Sequence, residues 1–224
     1  SKLENILLSY DFKSDKPLLL EAKSAISLIC EHQISKYNHA PKVAKGFFKN
    51  EREKQVLIIA QTAGDKSLEY GMGTRFTTKE MIDTAIKENP LSDIYLKIHP
   101  DVLSGKKESD IQICEIPKEC YLLKEDINPI SLLQNFTKVY TKTSQMGFEA
   151  LLVGCDTVCF GMPFYAGWGV TDDRVDCPRR NRQLKIEEVF AAAYILYSKY
   201  YNPITNQKSD LDDTIRTIIK VKNS

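Results

Sequence analysis

The stretch "KVYTKTSQMGFEALLVGCDTVCFG", residues 138–161, places a strand, a turn, a helix and a second strand one after another. Its first and last runs are short and apolar, as in the buried strands of a parallel sheet. The middle run starts with hydroxyl residues and ends at Gly154, which is typical of a helix. Because parallel neighbouring strands need a crossover connection, the stretch predicts one strand–helix–strand unit.

The same unit precedes this stretch in the chain. The runs "QVLIIA" (55–60) and "DIYLKI" (93–98) have the composition of buried strands. Between them, residues 77–89 predict a helix with a threonine N-cap, Glu80 in its first turn and Pro90 just past its end. Repeated units of this kind predict an α/β fold, with a Rossmann-like parallel sheet and helices on both faces.

Helical patterns flank these units. Apolar residues recur over residues 17–36 with a period closer to 3.6 than to 2, which predicts a long amphipathic helix. Two further helices are predicted at residues 185–201 and 210–220. We therefore divide the chain into a helical segment at 1–45 and a Rossmann-like domain at 46–224.

Composition narrows the function. At 224 residues and 42% hydrophobic, the chain can bury a real core, and 31 Lys and Arg nearly balance 30 Asp and Glu. The net charge therefore creates no overall electrostatic field that would favour binding to nucleic acid or to an anionic membrane. No run approaches the roughly eighteen apolar residues that span a bilayer, and no signal peptide is recognisable, so we expect a cytoplasmic chain. The six cysteines include no CxxC pair, which argues against zinc sites and disulfides.

The predicted sheet indicates where a ligand binds. In parallel α/β sheets, ligands lie at the carboxyl ends of the strands. Four polar or glycine-rich segments follow predicted strands and should share this rim: residues 61–73, 99–107, 141–145 and 161–173.

The segment at residues 141–145 carries candidate anion-binding groups. Thr143 and Ser144 begin a helix, where hydroxyls, free backbone N–H groups and the helix dipole suit a phosphate. Gln145 follows them, and Glu149 could accept hydrogen bonds from a ribose diol. A plain N-cap and a solvated helix carboxylate remain the alternatives.

Further candidates are a histidine, three lysines and an acid. His99 directly follows a strand, with Pro100 behind it, and could donate to a phosphate or protonate a leaving group. Lys97 and Lys106, together with Lys107, would raise the positive potential around a bound phosphate, although a lysine pair in a loop is usually just solvated. Asp65 could be a base, a nucleophile or a metal ligand, or it could simply form a turn. No DxD pattern accompanies it, so we expect no metal.

Two other loops have open interpretations. The loop "GMPFYAGWG" (161–169) could close over a sugar or base, or Phe164 and Trp168 could pack at the edge of the sheet. The arginines of "DCPRRNR" (176–182) suit carboxylates and phosphates, but a surface basic cluster is the preferred interpretation. Together, the phosphate site, the histidine and the acid suggest a nucleotide-sugar enzyme.

Several longer strings resemble a known family. In order, "QTAGDKSLEYG", "KIHPDVLSGKK", "NPISLL", "TSQMGFEALLVG" and "CFGMPFYAGWGVTDD" resemble the capsule polysaccharide β-Kdo glycosyltransferases of the KpsC type. These enzymes build the Kdo linker that joins Gram-negative capsules to lipid. The resemblance covers nearly the whole chain and implies a GT-B fold of two Rossmann halves. It makes residues 1–45 a linking segment and residues 46–224 the domain that binds the CMP-Kdo donor.

The resemblance also implies roles for single residues. Asp65 matches the acid of the family's Gly-Asp loop and would be the nucleophile of a retaining double displacement, and His99 would assist catalysis. No metal or other cofactor is needed, since histidine, hydroxyls and a helix dipole can neutralise the leaving phosphate. The residues assigned to the donor pocket are His99, Pro100, Thr143, Ser144, Gln145 and Glu149.

The chain departs from the family in one respect. The N-terminal Rossmann half, with its Glu-Asp-Gly-Phe-Leu-Arg-Ser stretch, has no counterpart here. We therefore expect a C-terminal fragment of one transferase module, which alone binds CMP weakly and transfers little sugar to a lipid-linked Kdo acceptor. Any association with the inner membrane would come from partners or from the missing half.

Two alternative functions remain open. The chain could be a nonenzymatic assembly or export module that works with other proteins of the capsule machinery. It could also belong to another GT-B enzyme that uses a different nucleotide sugar.

Overall fold

The computed structural model describes residues 1–48, 51–98, 102 and 104–222. It contains a six-stranded sheet in the order β3-β2-β1-β4-β5-β6, and every neighbouring pair is parallel. The strands are β1 (Lys54–Ile59), β2 (Ser92–Lys97), β3 (Cys120–Leu123), β4 (Lys138–Thr141), β5 (Asp156–Cys159) and β6 (Asp172–Asp173). The predicted Rossmann-like parallel sheet is confirmed.

Helices and a hairpin complete the described part of the chain. The helices are α1 (Lys2–Ser9), α2 (Lys16–Glu31), α3 (Lys66–Tyr70), α4 (Thr78–Glu88), α5 (Pro129–Leu133), α6 (Gln145–Leu152), α7 (Ile186–Phe190) and α8 (Leu211–Lys222). Short 3-10 turns lie at Gly73–Arg75 and Ile113–Glu115, and a π-helix follows α7 at Ala191–Tyr197. The hairpin pairs β7 (Tyr200–Asn202) with β8 (Gln207–Ser209).

The strand order creates one reversal in the sheet. From β1 the chain moves outward through β2 to β3, then returns to the other side of β1 and moves outward again from β4. Strand β1 therefore lies between β2 and β4, and the loops that follow β1 and β4 leave in opposite directions. Such a switch point opens a crevice at the carboxyl edge of the sheet.

Side-chain alternation along the strands builds a core on each face. Val56 and Ile58 pack on one face with the apolar side of α4, whereas Leu57 and Ile59 pack on the other face near α5. Helix α4 begins at a capping box, in which Thr77 and Glu80 satisfy each other's backbone N–H groups. The sheet is thus covered on both sides, as the apolar strand runs predict.

A third core joins the N-terminal helices to the sheet domain. Ala22 and Ile29 of α2 are buried with Phe148 of α6 and Val189 of α7. The division of the chain near residue 45 stays a prediction. Within the described ranges, no helix combines the length and the apolar character needed to cross a membrane.

Some predicted elements differ from the observed ones. The helix predicted at 17–36 ends at Glu31, two residues before Gln33 takes a φ of 51°. The helix predicted at 185–201 continues only to Tyr197, because the following residues pair in the hairpin instead. Helices α1 and α3 and strands β6 and β8 lie outside the predicted elements.

Candidate functional site

The loops after β1 and β4 meet at the switch point. Thr143, just past β4, donates its backbone N–H to the Gln61 side-chain oxygen over 2.7 Å. The Gln61 amide nitrogen in turn donates to the Thr143 hydroxyl over 3.0 Å. These bonds link positions that are 82 residues apart in the chain, and they form because β1 and β4 are neighbours.

Other predicted rim segments reach the same edge. Met162 donates its backbone N–H to the Gly71 carbonyl over 2.6 Å, which joins segments 61–73 and 161–173. Ala63 donates to the carbonyl of Glu108 over 2.8 Å, just beyond segment 99–107. The shared rim is therefore confirmed for the segments that begin at residues 61, 141 and 161.

Asp65 presents a carboxylate at this rim. One oxygen caps α3 by accepting the Ser67 backbone N–H at 2.9 Å, and the other lies 3.4 Å from the Gln61 amide nitrogen. Partial burial raises the carboxyl pKa, but the hydrogen bonds from Ser67 and Gln61 and the charge of Lys107 outweigh it, so the pKa lies below its usual value. Asp65 is therefore ionised at neutral pH.

The two predicted hydroxyl residues point to different partners. The Thr143 hydroxyl lies 2.9 Å from the Ser67 hydroxyl. Ser144 instead caps α6, where its hydroxyl accepts from the Met146 backbone N–H at 3.2 Å. The Ser144 carbonyl accepts from the buried Tyr165 hydroxyl at 2.6 Å. We call Gln61, Asp65, Ser67 and Thr143 the switch-point cluster; Ser144 lies beside it at the start of α6.

Two glycines allow the loops to pack against Thr143. A Cβ on Gly71 would lie 2.7 Å from the Thr143 methyl group. A Cβ on Gly161 would lie 2.8 Å from the same methyl group and 2.9 Å from the Gly71 carbonyl. Since real Cβ atoms do not come so close, both positions require glycine. The two glycines therefore leave room for the Thr143 methyl group between the loops.

Glu149 is buried inside α6, with only 6% of its surface exposed. It accepts a 2.7 Å hydrogen bond from Ser35, and the backbone N–H of Lys36 also bonds to it. Burial raises the pKa of this carboxyl to about 7, although the Ser35 hydroxyl opposes the shift. The alternative of a solvated carboxylate is therefore wrong. Gln145, at the exposed start of α6, donates to the Tyr194 hydroxyl over 2.9 Å.

The remaining site predictions lie apart from the cluster or outside the described residues. Lys97 is buried, and its ammonium donates to the Glu125 carbonyl over 3.1 Å. Burial lowers its pKa. Lys106 lies in an exposed turn. His99 and Pro100 lie outside the residues that the structure describes.

An ion pair that no sequence pattern predicted lies next to the cluster. Lys142, with 4% of its side chain exposed, donates to Asp110 over 2.7 Å. Asp110 also accepts from the backbone N–H and the hydroxyl of Thr78. It therefore connects the segment after residue 104 to β4 and α4. Nothing in the local pattern marks this pair, because its members come from separate segments.

The aromatic loop and the arginines pack inward. Trp168 is fully buried and donates its indole N–H to the Phe164 carbonyl over 2.8 Å. Arg180, with 8% of its side chain exposed, stacks over Trp168 and donates to the carbonyls of the same loop. Arg179 pairs with Glu4 over 2.6 Å. The preferred interpretation of a surface basic cluster is therefore wrong for Arg180, and the structure supports packing for Trp168.

The described residues include no candidate metal site. No group of three or more histidine, cysteine, aspartate or glutamate side chains is placed to hold an ion there. All six cysteines are free thiols.

Comparison with known proteins identifies the family. The model of the family described as capsule polysaccharide biosynthesis protein matches residues 11–201. The chain belongs to this family. Its fold superposes with a TM-score of 0.89 on Thermosulfurimonas dismutans KpsC, beta Kdo 2,4 transferase, at 42% identity over 97% of this chain and 67% of that one. The KpsC beta Kdo 2,7 transferase of the same organism superposes with a TM-score of 0.77 at 29% identity, over 98% of this chain and 66% of that one.

Curated relatives of this chain are longer proteins. The capsule polysaccharide modification protein LipA of Neisseria meningitidis serogroup B is 44% identical over 99% of this chain, which covers 32% of LipA. The lipopolysaccharide-processing protein LpsZ of Rhizobium meliloti is 34% identical over 100% of this chain and 51% of LpsZ. The chain thus spans about a third to a half of these relatives. The expected KpsC-type family and glycosyltransferase-like fold are confirmed.

Proposed function

We propose that this chain forms the donor-binding part of a glycosyltransferase. The enzyme transfers Kdo from CMP-Kdo to a lipid-linked Kdo acceptor, in synthesis of the linker between capsule polysaccharide and lipid. The observation that carries this proposal is the switch-point cluster, in which an ionised carboxylate lies beside two hydroxyls at the start of a helix. The family and the superposition on two Kdo transferases support the choice of sugar.

The cluster has the chemistry of a phosphate site. The hydroxyls of Ser67 and Thr143 are 2.9 Å apart and can both turn toward an anion. The N-terminus of α6, capped by Ser144, adds the positive end of a helix dipole. The phosphate of CMP-Kdo is a monoanionic diester, and breaking its bond to the sugar leaves CMP with a second negative charge, which these hydroxyl donors and the helix dipole can stabilise.

Asp65 is the nucleophile in this proposal. Its depressed pKa keeps it ionised at the pH of the cell, as a nucleophilic carboxylate must be. It attacks the anomeric carbon as CMP leaves, and an acceptor hydroxyl then displaces the carboxylate from the glycosyl ester. Each step inverts the anomeric carbon, so the overall configuration is retained. His99, by its match to the family motif, donates to the leaving phosphate.

The donor site is tested by calorimetric titration of this chain with CMP and with UDP. We expect saturable CMP binding, lost in a Thr143→Ala/Ser144→Ala double variant and weakened in His99→Ala. Thr84→Ala is the matched control, since that hydroxyl bonds to the Glu80 carbonyl in α4. A preference for UDP contradicts the CMP-Kdo donor, and a double variant that binds normally contradicts this placement of the phosphate.

The reaction is tested in the complete protein that contains this chain. We expect Asp65→Ala to abolish Kdo transfer while CMP binding persists. The product anomer should match the donor anomer by NMR. Full transfer by Asp65→Ala would favour a nonenzymatic or differently catalysed role for this segment.

A further inference from the structure

Gln61 occupies the centre of the switch-point cluster, although no role follows for it from the family motifs. We propose that Gln61 is a positioning residue: its amide ties the Asp65 carboxylate to Thr143, so that nucleophile and phosphate site keep a fixed relative geometry. This inference rests on the proposed function. Its first part, the hold on Asp65, can be measured whether or not transfer occurs.

The partners of Gln61 determine which way its amide faces. The backbone N–H of Thr143 can only donate, so the amide atom 2.7 Å away is the oxygen. The nitrogen therefore faces the Asp65 carboxylate at 3.4 Å, and an ionised carboxylate can only accept. The same nitrogen lies 3.3 Å from the Ser67 hydroxyl and 3.0 Å from that of Thr143. The amide orientation thus follows from the chemistry of its neighbours.

Glutamine suits this position in length and in chemistry. Gln61 lies two residues past the end of β1 and must reach the loop that follows the neighbouring strand β4. Asparagine is one methylene too short to keep both ends bonded. Glutamate keeps an acceptor for the Thr143 N–H but has no donor for Asp65 when it is ionised.

Several groups of the described residues act on the Asp65 carboxylate. They are the backbone N–H and hydroxyl of Ser67, the Gln61 amide and the charge of Lys107, all of which favour the ionised form, while burial opposes it. In this set, Gln61 bonds to both the backbone N–H and the hydroxyl of Thr143, whereas Ser67 reaches the Thr143 hydroxyl, at 2.9 Å. Losing its amide should therefore disturb the carboxylate and the phosphate-binding hydroxyl together.

Two substitutions separate the amide's functions. Gln61→Met keeps the length of the side chain and removes both hydrogen-bonding ends. Gln61→Glu keeps the acceptor for Thr143, removes the donor to Asp65 and adds a like charge next to it. Gln207→Glu adds the same charge on the exposed strand β8 and serves as the control.

The first measurement is the titration of the Asp65 carboxyl by carbon-13 NMR in this chain. We expect the Asp65 pKa to rise by several tenths of a unit in Gln61→Met and by about one unit or more in Gln61→Glu, because a hydrogen bond is lost and then a like charge is added. Gln207→Glu should leave it unchanged. An unchanged Asp65 pKa in both Gln61 variants would overturn the proposal, provided that melting curves show both to be folded.

The second measurement is Kdo transfer by the complete protein. Gln61→Met should lower kcat by about tenfold or more while KM for CMP-Kdo changes by less than about threefold, since misplaced reacting groups mainly slow the chemical step. A raised KM with normal kcat would make Gln61 a plain phosphate-binding residue and refute the positioning role. If the unsubstituted protein transfers no Kdo, the proposed function fails, while the NMR titration still decides whether Gln61 holds Asp65.

Discussion

Replacing Glu149 with glutamine should flatten the dependence of stability on pH. The Glu149 carboxyl has a pKa of about 7 in the folded chain, against 4.5 when free of the fold. The folded state therefore binds this proton more tightly than the unfolded state does. Stability from this group is fully present below about pH 4.5 and is lost as the pH rises to about 7.

The size of the expected change in stability follows from the shift in the Glu149 pKa. At about 1.4 kcal/mol per pKa unit, ionising Glu149 in its buried position should cost the fold about 3 kcal/mol. Glutamine keeps an oxygen for the Ser35 hydroxyl, which lies 2.7 Å from the carboxylate. Its new NH2 group must be buried beside that site, which offsets the gain by about 1–2 kcal/mol. At about pH 8 we therefore expect a net stabilisation of about 1–2 kcal/mol, or roughly 2–8 °C in Tm.

The assay is urea unfolding of both proteins between about pH 4 and pH 8, followed by circular dichroism. The difference in unfolding free energy between Glu149→Gln and the unsubstituted chain should change by about 3 kcal/mol across this range. Ser35→Ala should make the unfolding free energy depend more steeply on pH, because it removes a donor that favours the ionised Glu149 carboxylate. If the unfolding free energies of the unsubstituted chain and of Glu149→Gln changed in parallel with pH, the reasoning would be refuted.

Two further substitutions test the packing around the site. Gly147→Ala would place a Cβ in overlap with the buried Tyr165 hydroxyl and 2.7 Å from the Thr141 methyl group. We expect the free energy of unfolding to fall by about 2 kcal/mol, which thermal melting measures as a lower Tm. An unchanged Tm would contradict this packing. Lys142→Met leaves Asp110 without its 2.7 Å ion-pair partner. Because the Asp110 side chain is 33% exposed, we expect the free energy of unfolding, measured in urea, to fall by only about 2 kcal/mol. A variant more stable than the unsubstituted chain would contradict this expectation.

The fold class followed from local patterns in the sequence. Short apolar runs, helical periodicity and the Thr77–Glu80 cap are properties of neighbouring residues, so they can be recognised without knowing any long-range contact. The rule that ligands bind at the carboxyl ends of parallel strands then placed Asp65 and Thr143 at one rim. The family resemblance assigned roles to residues that the physical argument alone left open.

Local patterns failed where backbone hydrogen bonding departs from regular helix. A π-helix begins at Ala191, and the hairpin takes up residues that continue an apparently helical run. Hairpin pairing joins Tyr200 to Ser209 and depends on the turn between the strands. Helical periodicity therefore does not show whether these residues continue the helix or pair in the hairpin.

Which side chains meet at this edge depends on contacts between distant segments. Gln61 meets Thr143 because β1 lies beside β4, and nothing near Gln61 in the sequence specifies that strand order. Glu149 is buried because the turn after α2 packs over α6 and brings Ser35 to it. Local periodicity in the sequence sets the kind of sheet and the edge at which its strands end. Which residues meet at that edge depends on burial and long-range hydrogen bonds, because these arise only when distant segments pack together.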